Sequence, residues 1–188
     1  MKIWQSVAVA TAVDLRALAR NELARVAEID RTERIDVLYT QDGEHLVERH
    51  GHWDAPVWSS EGDSEHSVAA KVQELHGYLD VGGVALAALV EEQLVGIGVV
   101  VPHLRPGIAQ LAFLHVSAPW RAAGIGSALS AQLEDIARVA GDTEIVVSAT
   151  PSGNTVGFYL GRGFVPAREP LQELFELEPD DVHMQKAL

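Results

Sequence analysis

Arg121, Gly124 and Gly126 stand in an Arg-x-x-Gly-x-Gly spacing between an apolar run, Ile108–Ser117, and a helical stripe of Ile125, Leu129, Leu133, Ile136 and Val139. A strand that turns through two glycines into a helix can hold an oxyanion. The first turn of a helix has amides with no intrahelical partner and a partial positive charge. Glycine lets that backbone approach an anion with no Cβ in the way. Arg121 adds a forked cation and Ser127 a hydroxyl. The stretch Arg121, Ala122, Ala123, Gly124, Ile125, Gly126, Ser127 is therefore a candidate pyrophosphate cradle, although the same glycines would also serve a plain tight turn. It is not the dinucleotide fingerprint, because Leu129 stands where a third glycine belongs, and no Gly-Lys-Ser/Thr follows to make a P-loop.

Such a turn needs elements to hold it. Ile3–Ala10 reads as a first strand; its short apolar run and Ala-x-Ala only faintly imitate a signal peptide. Leu15, Leu18, Ala19, Leu23, Val26 and Ile29 recur at helical spacing, with Asp14 in the first turn. Ile35–Thr40 and His45–Arg49 read as strands about the turn Gln41-Asp42-Gly43-Glu44. Gly51–Ser64, with Trp53 and Trp58, reads as an ordered loop over the core. A helix is expected over Ser67–Leu79, a hairpin from Val84–Val90 and Leu94–Val101, and a further strand over Ile108–Ser117. A helix over Ala122–Ala140, a strand over Glu144–Ala149 and a short helix over Asn154–Leu160 follow. A strand beginning at Phe164 and a last one about Val182–Gln185 end the chain. Gly96 and Gly98 within a strand imply close approach of either a ligand or a neighbouring backbone. The order predicts an α/β fold of mixed α+β type, a central twisted mixed sheet flanked by helices, in one domain over 1–188.

At these residues the chain resembles the GCN5-related N-acetyltransferases. Arg121-x-x-Gly124-x-Gly126-x-Ala128 is similar to the family's coenzyme A signature, and Phe158-Tyr159-Leu160-Gly161-Arg162-Gly163-Phe164 resembles its Phe/Leu-Tyr-x-x-x-Gly-Phe ending. The two lie in the family's order with a strand between them, and Phe175–Met184 fits its last strand pair. The resemblance implies residues 84–188 as the acetyl-coenzyme A-binding core and 1–80 as the variable acceptor side. It implies that Leu114, His115 and Val116 hold the pantetheine arm, that Arg121–Ser127 hold the pyrophosphate, and that Tyr159 protonates the departing thiolate.

The pattern departs from the family in two places. Counting back from Tyr159, the usual cofactor-contacting Asn falls at Ser152, with Asn154 two residues on, so both are candidates. No carboxylate stands where family members carry a general base: Val147 and Gln110 occupy those places. His115 titrates in a useful range and is a candidate catalytic group. Glu28, Asp30 and Glu33, past the first predicted helix, are candidate acceptor-binding residues, or else a solvated helix end. The implied activity is transfer of an acetyl group from acetyl-coenzyme A to a primary amine of a small molecule or peptide by direct attack. The alternative is a non-catalytic acyl-coenzyme A-binding module on the same fold.

Composition narrows the partners. Twenty-seven acidic against 14 basic residues give a net charge of −13, which opposes binding to a phosphate backbone. The apolar share of 47% suits a packed core. With no cysteine there is neither disulfide nor thiolate metal site, and the spacing of His45, His50 and His52 is not that of a closed metal site. No metal, nucleic acid or membrane is expected, a cytoplasmic location is, and a homodimer is compatible with the sequence.

Overall fold

The computed structural model describes residues 12–62, 64 and 66–188. In chain order its elements are β1 (Asp14–Ala17), a 3-10 segment (Arg20–Glu28), β2 (Glu33–Asp42), β3 (His45–Ala55), α1 (Val68–Asp80), β4 (Val84–Val90) and β5 (Gln93–Arg105). Then come β6 (Ile108–Val116), α2 (Ile125–Ala140), β7 (Glu144–Ala149), α3 (Gly153–Gly161), β8 (Val165–Pro166), α4 (Gln172–Leu177) and β9 (Val182–Ala187). Among the described residues seven strands form one sheet in the order β1-β4-β5-β6-β7-β9-β8, and β2 and β3 form a separate ribbon. Only β6 and β7 run parallel; the other neighbours are antiparallel. This is the expected mixed sheet flanked by helices.

The sheet has two covered faces. On one, Leu129, Leu133 and Ala137 of α2 pack on Val95, Val100, Leu111, Ile145 and Met184, with Val156 and Tyr159 of α3 beside them. On the other, Leu23 and Val26 of the 3-10 segment and Leu75 of α1 cover Ile97, Val99 and Phe113, with Trp58 closing the edge. The strand glycines belong to the first face. A Cβ on Gly98 would stand 2.7 Å from Leu133, and one on Gly96 3.1 Å from Ile125 and Leu129. It is the side chains of α2 that come close there. No described helix is long and apolar enough to cross a membrane.

Several expectations need correction. The periodic stretch from Leu15 to Ile29 is not one helix. Asp14–Ala17 pairs in register with Leu86–Leu89 of β4, and only Arg20–Glu28 is helical, as a 3-10 segment. Edge pairing competes with the helix at residues 14–17, and a paired strand satisfies their backbone groups at once. The expected burial survives, since Leu18, Leu23, Val26 and Ile29 are all in the core. Gly51–Ala55 is no loop, because β3 continues through it opposite Glu33–Ile35. Helix α2 starts at Ile125, three residues later than predicted, and Val139, placed on its apolar stripe, is 89% exposed. Phe175–Leu177 is helical and does not begin a strand. The expected strand over Ile3–Ala10 lies outside the described residues.

Candidate active site

Strands β6 and β7 are paired over three positions only, Ile108–Gln110 against Glu144–Val146. Past that point β6 runs on to Val116 and β7 to Ala149, and the two part. A cleft opens between their C-terminal halves, with the start of α2 on one side and the start of α3 on the other. A bulge sharpens it. Val99 faces Phe113 but Val100 faces Leu111, so Ala112 is an extra residue on β6. A bulge reverses the alternation of side chains beyond it. Leu114 and Val116 accordingly pack toward α2. His115 turns to the opposite face, its ring centroid 5.0 Å from Trp58 and 4.6 Å from Phe113.

The turn into α2 is exposed from Arg121 to Gly124. Ala122 and Gly124 both take left-handed backbone, φ 61° and 81°. This alternation aims successive amides into one concavity ahead of the helix, a natural anion cradle. The two glycines differ. A Cβ on Gly124 would meet nothing within 4 Å, so its conformation is what asks for glycine. A Cβ on Gly126 would lie 3.4 Å from Phe158, so Gly126 faces α3 across the cleft.

Arg121 is engaged from below. Its guanidinium donates to the carbonyls of Val116 (3.2 Å), Thr32 (2.8 Å) and Arg31 (3.1 Å). Residues 30–39 form a strap across the end of the cleft. On the β6 side the Asp30 amide donates to Ser117 Oγ at 3.0 Å and the Ala118 amide to the Asp30 carbonyl at 2.8 Å. On the β7 side the Tyr39 amide donates to the Pro151 carbonyl at 2.8 Å, and Leu38 bridges Ser152. Between these anchors sits Glu33. Its carboxylate accepts from Asn154 Nδ2 (2.9 Å) and Ser152 Oγ (3.2 Å), and lies 3.7 Å from Arg121. Ser152 is also the N-cap of α3, accepting from the Thr155 amide.

Of the three acidic residues expected near the acceptor, the structure brings only Glu33 to the cleft. Glu28 pairs with Arg25 at 2.7 Å and accepts from the Leu94 amide, which pins the start of β5. Arg25 holds its carboxyl below the usual range. Asp30 spends its carboxylate on the hydroxyl and amide of Thr32, which likewise lower its pKa. Both do local structural work.

Tyr159 lies in the core beneath α3, 4% exposed, with its ring edge-on to Phe158 and Phe164. Among the described residues its hydroxyl has no hydrogen-bond partner. Burial raises its pKa above the ordinary phenol value, so it carries its proton at neutral pH. His115 is shifted the other way. Burial, with Arg31, Lys71 and Arg121 adding to it, pushes the imidazole down to about 3. It is neutral at physiological pH and a weak proton acceptor.

Beside the end of β7 a cavity of about 550 Å³ opens between the ribbon and the segment leading into β9. Tyr39 and Arg49 line one wall, Phe175, Asp180, Asp181 and His183 the other, and Pro151 lies between. Burial, then Glu178 and Asp180, push the Asp181 carboxyl up to about 7. These residues were not singled out in the sequence. Their proximity depends on the ribbon folding back 126 residues from its contact, where Gln41 donates to the Ala167 carbonyl. Among the described residues no cluster of His, Cys, Asp or Glu could hold a metal.

The geometry has counterparts. The family model described as an acetyltransferase (GNAT) domain matches residues 55–187. Among solved structures, nourseothricin acetyltransferase superposes with a TM-score of 0.70 at 15% identity, covering 94% of this chain and 99% of that one. A Bacillus anthracis str. Ames protein, a candidate streptothricin acetyltransferase in complex with acetyl coenzyme A, gives 0.62 at 19% identity, covering 95% and 98%. Aminoglycoside 6'-N-acetyltransferase complexed with coenzyme A gives 0.54 at 18%, covering 65% and 82%. No curated protein sequence matches the chain.

Proposed function

The chain belongs to the GNAT acetyltransferase family, and from that premise we propose that it transfers an acetyl group from acetyl-coenzyme A to a primary amine of a small molecule. The observation that carries the reading is the cleft where β6 and β7 part, with the Gly124 turn at one lip and the start of α3, the helix that carries Tyr159, at the other. Two of the fold's relatives were solved with acetyl coenzyme A or coenzyme A, which supports the same cofactor here. The first-turn amides of Ile125, Gly126 and Ser127, with the backbone of Arg121, Ala122, Ala123 and Gly124, would take the pyrophosphate. The unpaired edge of Leu114, His115 and Val116 would pair with the pantetheine amides, as an added strand does.

In the reaction a neutral amine attacks the thioester carbonyl, the C–S bond breaks and coenzyme A leaves as a thiol. The Val116 amide would stabilise the developing oxyanion. Tyr159, protonated and otherwise unpartnered, would give its proton to the departing sulfur, and the proton that the attacking nitrogen loses on becoming an amide would pass through solvent back to the Tyr159 oxygen. With its pKa near 3, His115 would act by accepting a hydrogen bond from the amine and orienting it; it would not hold its proton. Holding both substrates in register supplies much of the rate, so no strong base is required.

The acceptor reading rests on the 550 Å³ cavity, whose size suits a small molecule. Asp180 and Asp181 with the aromatic walls of Tyr39 and Phe175 favour a cationic amine. The named activity of the aminoglycoside relative, N-acetylation, points the same way. The test is calorimetric titration with acetyl-coenzyme A, followed by a thiol-release screen of amines. A folded chain that binds no acetyl-coenzyme A would refute the reading.

A further inference from the structure

The side chain of Glu33 reaches both walls of the cleft. Toward β7 and α3 it accepts from Asn154 Nδ2 at 2.9 Å and from Ser152 Oγ at 3.2 Å. Toward β6 and α2 it faces Arg121 at 3.7 Å, and the same guanidinium grips the carbonyls of Arg31 and Thr32 immediately before it. Its side chain is only 16% exposed. Arg31, the other cation of the strap, sends its guanidinium to the far face, 5.8 Å over Trp58, and leaves Glu33 to Arg121.

This arrangement reassigns two groups. In the resemblance Arg121 and Asn154 are cofactor contacts; here the free donors of both converge on the strap. Glu33 Oε1 accepts both the amide and the hydroxyl, while Oε2 faces the Arg121 guanidinium at 3.7 Å, so the two oxygens of the carboxylate point to opposite walls of the cleft. The carboxylate thereby couples the Gly124 turn to the N-terminus of α3. That helix carries Tyr159 less than two turns further on.

We propose that Glu33 is a positioning residue which ties the two walls of the acyl-coenzyme A cleft together, setting the distance between the phosphate turn and the helix that carries Tyr159, and that it does not bind the acceptor. The inference rests on the acetyl-coenzyme A reading of the cleft. It differs from an acceptor role in what it asks of the cofactor. Loss of the tie should weaken acetyl-coenzyme A binding although no atom of Glu33 touches that ligand.

The experiment compares the full chain with Glu33→Ala and Glu33→Gln, well below their melting temperatures. It measures the acetyl-coenzyme A Kd by calorimetry and amide hydrogen exchange across residues 117–124 and 150–155. In Glu33→Ala the Kd is expected to rise about tenfold, a coupling of the size found between residues sharing one network. Both segments should also exchange faster together. Gln keeps an acceptor oxygen for Asn154 and Ser152 and should recover most of the loss, a rescue that a general loss of packing would not give. An unchanged Kd in Glu33→Ala, with faster exchange confined to residues 30–39, overturns the proposal. If Glu33→Ala does not fold, Asn154→Ala cuts the same tie from the other side. It should then speed exchange at 117–124, and an unmoved 117–124 overturns the proposal. If the native chain binds no acetyl-coenzyme A, the cofactor reading fails by itself, and the exchange data alone decide the tie.

Discussion

The two glycines of the phosphate turn should not respond alike to alanine. Gly124 has φ 81°, and a left-handed backbone costs a residue with a Cβ roughly 1–2 kcal/mol. Because nothing lies within 4 Å of the added methyl, the chain can escape that strain only by moving the turn itself. The turn is exposed, and Gly124 is the N-cap whose carbonyl accepts the first bond of α2, from the Ala128 amide at 3.0 Å, so the distortion falls on the amides that would face the pyrophosphate. If all of it is expressed in binding, the Kd for acetyl-coenzyme A rises about 5- to 30-fold, at 1.4 kcal/mol per decade. Gly126 lies in helical backbone, and its methyl would meet the ring of Phe158 at 3.4 Å, an ordinary contact. Gly126→Ala is expected to change the Kd less than about threefold, well under 1 kcal/mol. Calorimetry on both variants, with thermal melts to confirm folding, decides between them. Native affinity in Gly124→Ala, or a larger loss in Gly126→Ala than in Gly124→Ala, would refute the argument that conformation and not close approach is what the first glycine supplies.

Other outcomes follow from the same contacts. Tyr159→Phe keeps the ring packing and removes the proton donor, so kcat should fall by about 10²- to 10⁴-fold with the acetyl-coenzyme A Kd little changed; a normal kcat would remove Tyr159 from the chemistry. Glu134, 2% exposed, accepts from Lys186 (2.7 Å), Arg162 (2.9 Å) and Ser130 (3.0 Å), so Glu134→Ala should cost about 3–5 kcal/mol in urea unfolding by leaving two cations stranded. Burial alone would raise its carboxyl, but those donors outweigh it and the net shift is downward. Its contribution is therefore complete above the unfolded carboxylate value and is lost as pH falls through the folded one. Asp181 has the opposite sign. With its carboxyl pushed up to about 7, the folded chain holds that proton more tightly than the unfolded chain, so stability declines as pH rises from about 4 toward 7. Asp181→Asn should flatten that decline and stabilise the protein at pH 8; equal midpoints for variant and native chain across pH 5–8 would refute the shift.

The parts of the fold that were legible in the sequence are those whose signal is local. The hairpin of β4 and β5, helix α2 and the Gly124 turn each declare themselves within some twenty residues, because periodicity and turn chemistry are short-range. The failures share a cause as well. Asp14–Ala17 carries helical spacing, yet the exposed edge of β4, some seventy residues away, decides its conformation. The side of the sheet that His115 occupies was not readable, because a single extra residue at Ala112 reverses the alternation and no residue type announces a bulge. The site divides the same way. Arg121, Gly124 and Tyr159 were found from spacing, and the structure does bring both motifs to one cleft. Glu28, Asp30 and Glu33 were named together, as acceptor-side acids or else a solvated helix end, and only the fold separates the contacts of Glu33 from those of Glu28 and Asp30.

That division has a consequence for how specificity is encoded. The cofactor side is made by strand-to-helix turns in which each backbone conformation is dictated by its own residues. The proposed acceptor side is made by pieces that meet only through the tertiary fold: the ribbon of β2 and β3, whose start lies in the strap of residues 30–39, and the approach to β9. Gln41 reaches the backbone of Ala167 and His183 from the ribbon, while the His183 amide donates back to Gln41 at 2.7 Å. Changing the ribbon beyond Tyr39 would therefore reshape the cavity without touching the Gly124 turn. The strap is the exception, since Glu33 and the carbonyls of Arg31 and Thr32 belong to the variable half of the chain but are bound by Arg121 of the other half. On the proposed reading, a change of acceptor that proceeds through the ribbon beyond Tyr39 leaves the cleft intact, whereas one that disturbs residues 30–34 would also disturb cofactor binding.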